Sequence, residues 1–244
     1  MKWGSELGKI GWGITGAGHL LQETFGVMEK LARKHSVSCF ISSAGERVVH
    51  IYGLQQKLSE ICPGNYYQEV ILETEQGAAF PLAGRFLRKT YDALIVSPAS
   101  ANTVAKIIAG ITDTLVTNAI AQAEKGGVQI IIVPSDQIGI KKTRLPYVIN
   151  REICLKCEAC SIIALCPYEA IVLSDRLPKI DLTKCEGCGI CLRKCPHDAV
   201  TFGQRVRVTP RKIDIENVKK MRKNKNYVVL NSPKKIPTTL NKVL

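Results

Sequence analysis

Lys9-Ile10-Gly11-Trp12-Gly13-Ile14-Thr15-Gly16-Ala17-Gly18-His19 (KIGWGITGAGH) decides how the chain is read. A short apolar run, Lys9–Ile14, breaks into a turn of small residues. From His19 to Lys34 the positions Leu20, Leu21, Phe25, Met28, Leu31 and Ala32 then recur at roughly helical spacing. Strand, small-residue turn and helix make one βα unit, and further units follow. Ser36–Ile41 (SVSCFI) is β-branched and apolar, and Glu46–Ile61 is helix-like. Tyr67–Leu72 reads as a strand, Phe80–Thr90 as a helix and Ala93–Val96 as a buried strand. Ala101–Lys125 reads as one long or two short helices, and Val128–Val133 (VQIIIV) as the most apolar strand. Continuous apolar strands separated by helices predict a parallel sheet covered on both faces.

A different texture begins near Tyr147. Eight of the ten cysteines lie between Cys154 and Cys195, in a tandem repeat with a period of 31 residues. Cys154, Cys157 and Cys160 match Cys185, Cys188 and Cys191, and each half closes on Cys-Pro and a short β-like run, Ala170–Leu173 or Ala199–Phe202. Repetition of this kind marks a duplicated unit. The second run, Cys185-x2-Cys188-x2-Cys191-x3-Cys195-Pro196, has the spacing of bacterial two-cluster ferredoxins. In that pattern three thiolates wrap one [4Fe–4S] cluster, and the fourth, before proline, ligates the other. The first run, Cys154-x2-Cys157-x2-Cys160-x5-Cys166-Pro167, is two residues longer before its last cysteine. One cluster is therefore expected on Cys154, Cys157, Cys160 and Cys195, and the other on Cys166, Cys185, Cys188 and Cys191. Zinc, the alternative, favours two CxxC pairs or cysteine with histidine around one ion, which these runs fit poorly. Lys156, Lys184, Arg193 and Lys194 lie near the ligands in sequence, and positive charge there favours the reduced, more negative cluster. Cys39 and Cys62 read as buried thiols without a role.

Clustered cysteines with no preceding secretion signal point to metal rather than disulfides. Met1–Ile10 lacks a basic region followed by a long apolar stretch, and no run of about 18 apolar residues suggests a membrane span. A cytoplasmic protein without membrane attachment is expected. The formal net charge is +13, but from Arg205 to Leu244 there are 12 Lys/Arg against only Asp214 and Glu216. The excess is largely local, and that segment lacks interleaved aromatics apart from Tyr227, so no nucleic-acid partner is expected. Within it, Ile213–Arg222 is helix-like and Tyr227–Leu230 strand-like. A lone helix and strand cannot bury themselves, so they are expected to return to the first sheet. The resulting organisation is 1–146, 147–205 for the cysteine module, and 206–244 returning.

Gly11 to Gly16 literally matches GxGxxG, but a dinucleotide site needs an acid after the second strand, where this chain has Ser42-Ser43-Ala44-Gly45. Three strand ends, at Thr15–Gly18, Ser42–Gly45 and Pro98–Thr103, present small and often hydroxylated residues. Each alone suits ordinary helix capping. Together, at the carboxyl ends of an open α/β sheet, they favour a mononucleotide with its phosphate at a helix N-terminus. His19, Trp12 and Arg47 are weaker candidates for touching a ligand, against plain readings as a helix-start histidine, a core tryptophan and a surface arginine.

The segments GITGAGH (Gly13–His19) and PASANT (Pro98–Thr103) resemble those of the flavoprotein family that includes the homo-oligomeric flavin-containing cysteine decarboxylases. The likeness covers about residues 8–136 and resumes at about 207–236. With the two-cluster module, the chain resembles archaeal dihydromethanopterin reductases and archaeoflavoproteins. The resemblance implies a Rossmann-like or flavodoxin-like three-layer fold with an inserted α+β bacterial-type ferredoxin domain. It also implies FMN held by Thr15, Gly16, Ala17, Gly18, His19, Ser42, Ser43, Ala99, Ser100, Ala101, Asn102 and Thr103, and a homo-oligomer. The decarboxylases carry a PxMNxxMW-like segment where this chain has Val133-Pro134-Ser135-Asp136-Gln137-Ile138, so their catalytic residues do not transfer.

Clusters carry single electrons, whereas FMN accepts electrons singly and delivers two. The expectation is an oxidoreductase that takes electrons from a ferredoxin-like donor through two [4Fe–4S] clusters to FMN. The resemblance makes the final acceptor a dihydropterin, dihydromethanopterin going to tetrahydromethanopterin. The alternative is an electron carrier between protein partners with no small-molecule substrate.

Overall fold

The computed structural model describes residues 8–139, 141–154, 157, 159–242 and 244. The reading of the N-terminus as lacking a secretion signal falls largely on residues 1–7, and Lys156 is also outside the described residues.

The first half is a run of βα units: β1 (Lys9–Ile14), α1 (Leu21–Ala32), β2 (Ser36–Ile41), α2 (Ser43–Ile51), α3 (Gln55–Ile61), β3 (Val70–Leu72), α4 (Gly84–Leu87), β4 (Ala93–Ala99), α5 (Ala101–Ala109), α6 (Leu115–Gly126) and β5 (Gln129–Pro134). The chain then leaves the sheet through β6 (Lys141–Arg144), β7 (Val148–Ile149), α7 (Arg151–Cys154), α8 (Ser161–Ala164), the hairpin β8 (Ile171–Ser174) and β9 (Leu177–Ile180), α9 (Ile190–Lys194), β10 (Val200–Thr201) and β11 (Arg205–Val208). It comes back through α10 (Lys212–Lys223), β12 (Tyr227–Val229) and α11 (Ile236–Leu240).

The main sheet has the order β12-β5-β4-β1-β2-β3, with every neighbouring pair parallel. Side chains alternate across a strand, so each central strand feeds two cores. Ile95, Ile131 and Val133 pack with Leu21, Phe25 and Met28 of α1, with Leu58 and Ile61 of α3, and with Ile236 and Leu240 of α11. Leu94, Val96, Ile130 and Ile132 pack on the other side with Phe86, Val104, Leu115, Val218 and Met221, from α4, α5, α6 and α10. The three-layer α/β expectation holds. Each fully buried Leu or Ile contributes on the order of 1.5–3 kcal/mol, so these two cores account for most of the favourable burial.

The cysteine region is a separate small unit. β7 pairs antiparallel with β10 and β8 with β9, over a core of Tyr147, Ile162, Ala170, Ile171, Cys185 and Val200. An antiparallel ribbon, β6 with β11, carries the chain into this unit and out again. No helix among the described residues is long and apolar enough to cross a membrane.

Three elements differ from expectation. The helix expected over Glu46–Ile61 is interrupted at Tyr52–Leu54, where Gly53 takes φ +64° and the backbone of Gly187 approaches so closely that a Cβ would stand 2.7 Å from its carbonyl. The helix expected over Phe80–Thr90 shrinks to a 3-10 turn and the single turn α4, because Phe80 (φ 44°) and Lys89 (φ 54°) leave the helical region at its ends. The helix expected from His19 starts at Leu21, because Leu20 sits at φ 66°.

Gly11 and Gly13 lie inside β1, not in a phosphate loop. A Cβ on Gly11 would overlap the Phe86 ring at Cζ, so the glycine is what lets α4 close onto the sheet. Gly11→Ala should therefore overpack this contact and lower the unfolding free energy by about 1–3 kcal/mol, seen as a fall in Tm. Adding Phe86→Leu should recover part of the loss. An unchanged Tm would show that α4 yields freely.

Candidate functional site

β1 runs on to β2 on one side and pairs with β4 on the other, so the strand order reverses between β1 and β4. In an open parallel sheet, the turns leaving the two strands on either side of such a reversal diverge and leave a crevice at their carboxyl ends. Here the two turns are tied together. Buried Thr15 donates its hydroxyl to the Pro98 carbonyl (2.7 Å) and accepts from the Ser100 N–H (2.8 Å). Trp12 Nε1 donates to the Ser97 carbonyl (3.0 Å), and the Thr24 and Ser97 hydroxyls lie 2.8 Å apart. Trp12 is wholly buried in the core and is not a ligand contact.

The crevice opens into a cavity of about 200 Å³ lined by Gly16, Ala17, Gly18, His19, Ser100, Ser135, Asp136, Thr143, Val208 and Pro210. Of the twelve cofactor residues expected from sequence, Gly16, Ala17, Gly18, His19 and Ser100 line it. The others have different local roles. Thr15 ties the turns, and Ser42 caps α2 by accepting from Gly45 N–H (3.1 Å). Ser43 donates to Glu73 Oε1 (2.7 Å), while Thr103 donates its N–H to the Ser100 cap (3.2 Å). Ala99 is buried in β4, Ala101 is half-buried and Asn102 is exposed on α5. Ser135 and Asp136 were missed as lining residues although they end a strand, where the same reasoning applied. Thr143, Val208 and Pro210 carry no local signal, because only the long-range pairing of β6 with β11 brings them to the cavity.

The cysteines gather around two further cavities. Cys154, Cys157, Cys160 and Cys195 line one, with Ile149, Ile162, Pro196 and Val200. Cys166, Cys185, Cys188 and Cys191 line another, with Tyr147, Tyr168, Ile171 and Ile180. In each, one thiol comes from the other cysteine run. Among the described residues no group of three His, Cys, Asp or Glu closes on a single metal ion. The thiols ring apolar spaces, which suits a polynuclear cluster. Burial pushes the Cys191 thiol up to about 11 and raises those of Cys154 and Cys185, so a metal is needed to hold them as thiolates at neutral pH. Cys39 and Cys62 are buried side by side, Sγ to Sγ 3.3 Å.

Glu186, inside the second cysteine run, docks the small unit on the α2–α3 corner. Its carboxylate accepts from Arg47 Nη2 (3.0 Å) and Gln55 Nε2 (2.9 Å) and pairs with His50 Nδ1. Arg47 also donates to the Cys185 carbonyl, so it is a joint between units rather than a free surface arginine. Burial raises the Glu186 pKa, but the hydrogen bonds from His50, Arg47 and Gln55 outweigh it and hold the carboxyl below its usual value. Alongside, Gly187 (φ +64°) faces Gly53, and a Cβ on it would overlap the Gly53 backbone nitrogen. Aromatic contacts continue inward. Tyr147 stacks on Phe202 (4.5 Å between centroids), which meets Tyr52 edge-on at 6.0 Å, and Tyr52 packs against Gly18 of the glycine turn.

A flavoprotein family model matches residues 5–176, and a 4Fe-4S binding domain model matches residues 178–201. The chain belongs to the flavoprotein family. This flavoprotein is 44% identical over 232 residues to a dihydromethanopterin reductase (acceptor) of Methanosarcina mazei, spanning 93% of this chain and 97% of that one. It is 48% identical to the enzyme of the same name from Methanocaldococcus jannaschii, over 93% of this chain and 94% of that one. Among solved structures, Burkholderia xenovorans DmrB in complex with FMN, described as a cubic protein cage for redox transfer, shares the fold at a TM-score of 0.61. It is 20% identical, with 98% of this chain and 96% of that one covered. The flavoprotein is thus an iron–sulfur oxidoreductase of the dihydromethanopterin reductase family.

The docking joint makes a direct prediction. Glu186→Ala removes the carboxylate shared by Arg47, His50 and Gln55 and leaves Arg47 and Gln55 only their backbone acceptors, at a cost of about 1–3 kcal/mol. Hydrogen exchange should rise at residues 50–55 and 185–188 while the β1, β4 and β5 amides stay protected. Unchanged exchange at the corner would show that the two units are held by something else.

Proposed function

We propose that this flavoprotein reduces dihydromethanopterin to tetrahydromethanopterin, with FMN in the switch-point cavity and two [4Fe–4S] clusters in the cysteine-lined cavities. The reading is carried by one juxtaposition: two four-thiol cavities in a unit docked beside the reversal crevice, in a chain akin along its length to reductases of that name. Bound there, the clusters supply one-electron transfer and the flavin collects two electrons for the substrate. The backbone of Gly16–Gly18 and the Ser100 turn would hold the flavin, with the Thr15 hydrogen bonds keeping both turns in place. His19 and Asp136 are the titratable side chains lining that cavity, and both are groups able to move a proton to a substrate.

The two cysteine sets differ in where they face. Both cavities are lined by residues of the small unit, and among the described residues that of Cys154, Cys157, Cys160 and Cys195 has no lining residue in the joint with α2 and α3. The other includes Tyr147 and Glu186, which lead through Phe202 and Tyr52 to Gly18 and through Arg47 to α2. The second set is therefore the inner site, nearest the joint, and the first the outer, assigned to a ferredoxin-like donor. A cytoplasmic homo-oligomer belongs to the proposal, in line with the cage described for the Burkholderia protein.

The test is to purify the protein anaerobically and assay it for FMN and iron. About eight irons per chain are expected for two clusters. After reduction, dihydromethanopterin should reoxidise the flavin with formation of tetrahydromethanopterin. Fast electron exchange with ferredoxin but no turnover of the pterin would replace the reductase by an electron carrier. A preparation without FMN and iron would overturn both.

A further inference from the structure

The β6–β11 ribbon pairs cation with cation. Arg144 stands opposite Arg205, and Lys142 opposite Arg207. Residues two apart share a face of a strand, so these four positive groups crowd one face of a two-stranded ribbon. Like charges directly opposite each other in a sheet destabilise it. Among the described residues none of the four forms an ion pair with a carboxylate. Arg144 is held by a neutral partner, donating from Nη1 to Gln22 Oε1 at 3.0 Å. Its backbone is held as well, since its carbonyl accepts from the Tyr52 hydroxyl at 2.6 Å. The four side chains are exposed, so solvent screens their repulsion, yet no carboxylate among the described residues pairs with any of them.

That face is one wall of an open cavity of about 130 Å³, lined by Lys142, Arg144 and Arg205 together with Gln22, Glu23 and Tyr52. It meets the switch-point cavity at Gly18 and His19, which line both. The ribbon's opposite face sends Thr143 and Val208 into the switch-point cavity. One ribbon thus presents Thr143 and Val208 to one compartment and Lys142, Arg144 and Arg205 to the next. Leu20, also lining the second cavity, is held at φ 66°, a conformation rare for a leucine and characteristic of strained functional turns.

We infer that this second cavity is an anion subsite, in which Arg144, Arg205 and Lys142 bind phosphate or carboxylate groups carried at one end of the substrate while the reducible ring occupies the neighbouring cavity. The inference rests on the reductase reading for its substrate, but not for the chemistry it assigns to the subsite. All four side chains are exposed, but a solvated basic face, the plainer account, does not explain why the two strands set like charges directly opposite each other. Arginine suits the role, because its planar fork takes phosphate or carboxylate oxygens two at a time.

The experiment uses the full-length holoprotein and the variants Arg205→Gln, Arg144→Gln and the double variant. Inorganic pyrophosphate serves as the probe in calorimetry, and dihydromethanopterin in steady-state kinetics, with FMN and iron content measured on every preparation. Removing either guanidinium should weaken pyrophosphate binding about tenfold, and the wild-type affinity should fall steeply with added salt. KM for dihydromethanopterin should rise about tenfold per arginine removed, with a smaller change in kcat, and Arg205→Lys should recover part of the loss. Unaltered pyrophosphate binding and unaltered KM in the double variant would overturn the inference. Loss of FMN from that variant would also overturn it, by giving the cationic face to the flavin's own phosphate. If the wild type binds pyrophosphate through these arginines yet never turns over dihydromethanopterin, the substrate reading falls and the anion subsite stands.

Discussion

The Thr15 hydroxyl is the joint on which the rest of the molecule depends. At the reversal of a parallel sheet the chain leaving β1 and the chain leaving β4 have no ladder to hold them, and their peptide groups are buried. Thr15 satisfies one group from each side, the Pro98 carbonyl and the Ser100 amide, and Trp12 and Thr24 add bonds to Ser97. A buried amide or carbonyl left unpaired costs about 1–3 kcal/mol, so the seam fixes the two turns relative to each other. The small residues Gly16–Gly18 then form a rigid rim instead of a flexible loop. The same seam explains where the cysteine unit sits. The chain leaves the sheet at the carboxyl end of β5, beside β4, so the polypeptide beyond β5 emerges at the ligand end. A connection made from the opposite end would have put the thiols across the sheet from the crevice.

Position along the sheet is not enough for electron transfer, which needs a fixed separation. The Glu186 joint supplies it. Arg47, His50 and Gln55 come from α2 and α3, elements fixed by the core, and they converge on a carboxylate next to a cysteine ligand candidate. Two glycines let the backbones meet without side chains between them. The break between α2 and α3 is the local consequence, since a continuous helix would carry Gly53 away from Gly187. One requirement, docking the small unit, thus accounts for a helix interruption, two left-handed glycines and an otherwise unexplained arginine.

Sequence carries the periodic parts of this structure and misses the parts made by pairing at a distance. Apolar strands such as VQIIIV reveal the parallel sheet because both faces are buried and every position must be apolar. The CxxCxxC spacing reveals which thiols share a cavity because cluster ligation leaves little geometric freedom. Arg47 read as a surface arginine or a weak ligand candidate and not as a joint, since its partner Glu186 is 139 residues away. Ser42, Ser43 and Thr103 read as ligand contacts because a hydroxyl at a strand end suits a phosphate and a helix cap equally well. In the structure each of the three bonds to the protein itself. The cationic face of the β6–β11 ribbon is invisible in either strand alone and exists only in their register.

The cysteine unit also constrains its own assembly. Its hydrophobic core is a handful of residues, one of them the thiol-bearing Cys185. A unit of that size does not supply enough apolar burial to fold firmly by itself. Burial raises the thiols of Cys154, Cys185 and Cys191, so in the metal-free state they are protonated and attract no cation by charge. Iron must displace those protons, which makes cluster insertion and folding of the unit one coupled equilibrium. Docking on α2 and α3 lowers the cost of ordering residues 185–188 before any iron arrives, because Glu186 and Gly187 are placed by the flavoprotein layer. The inner site is therefore the one the polypeptide prepares. Each set borrows one thiol from the other run, Cys195 for the first and Cys166 for the second, so neither cavity closes without both halves of the unit.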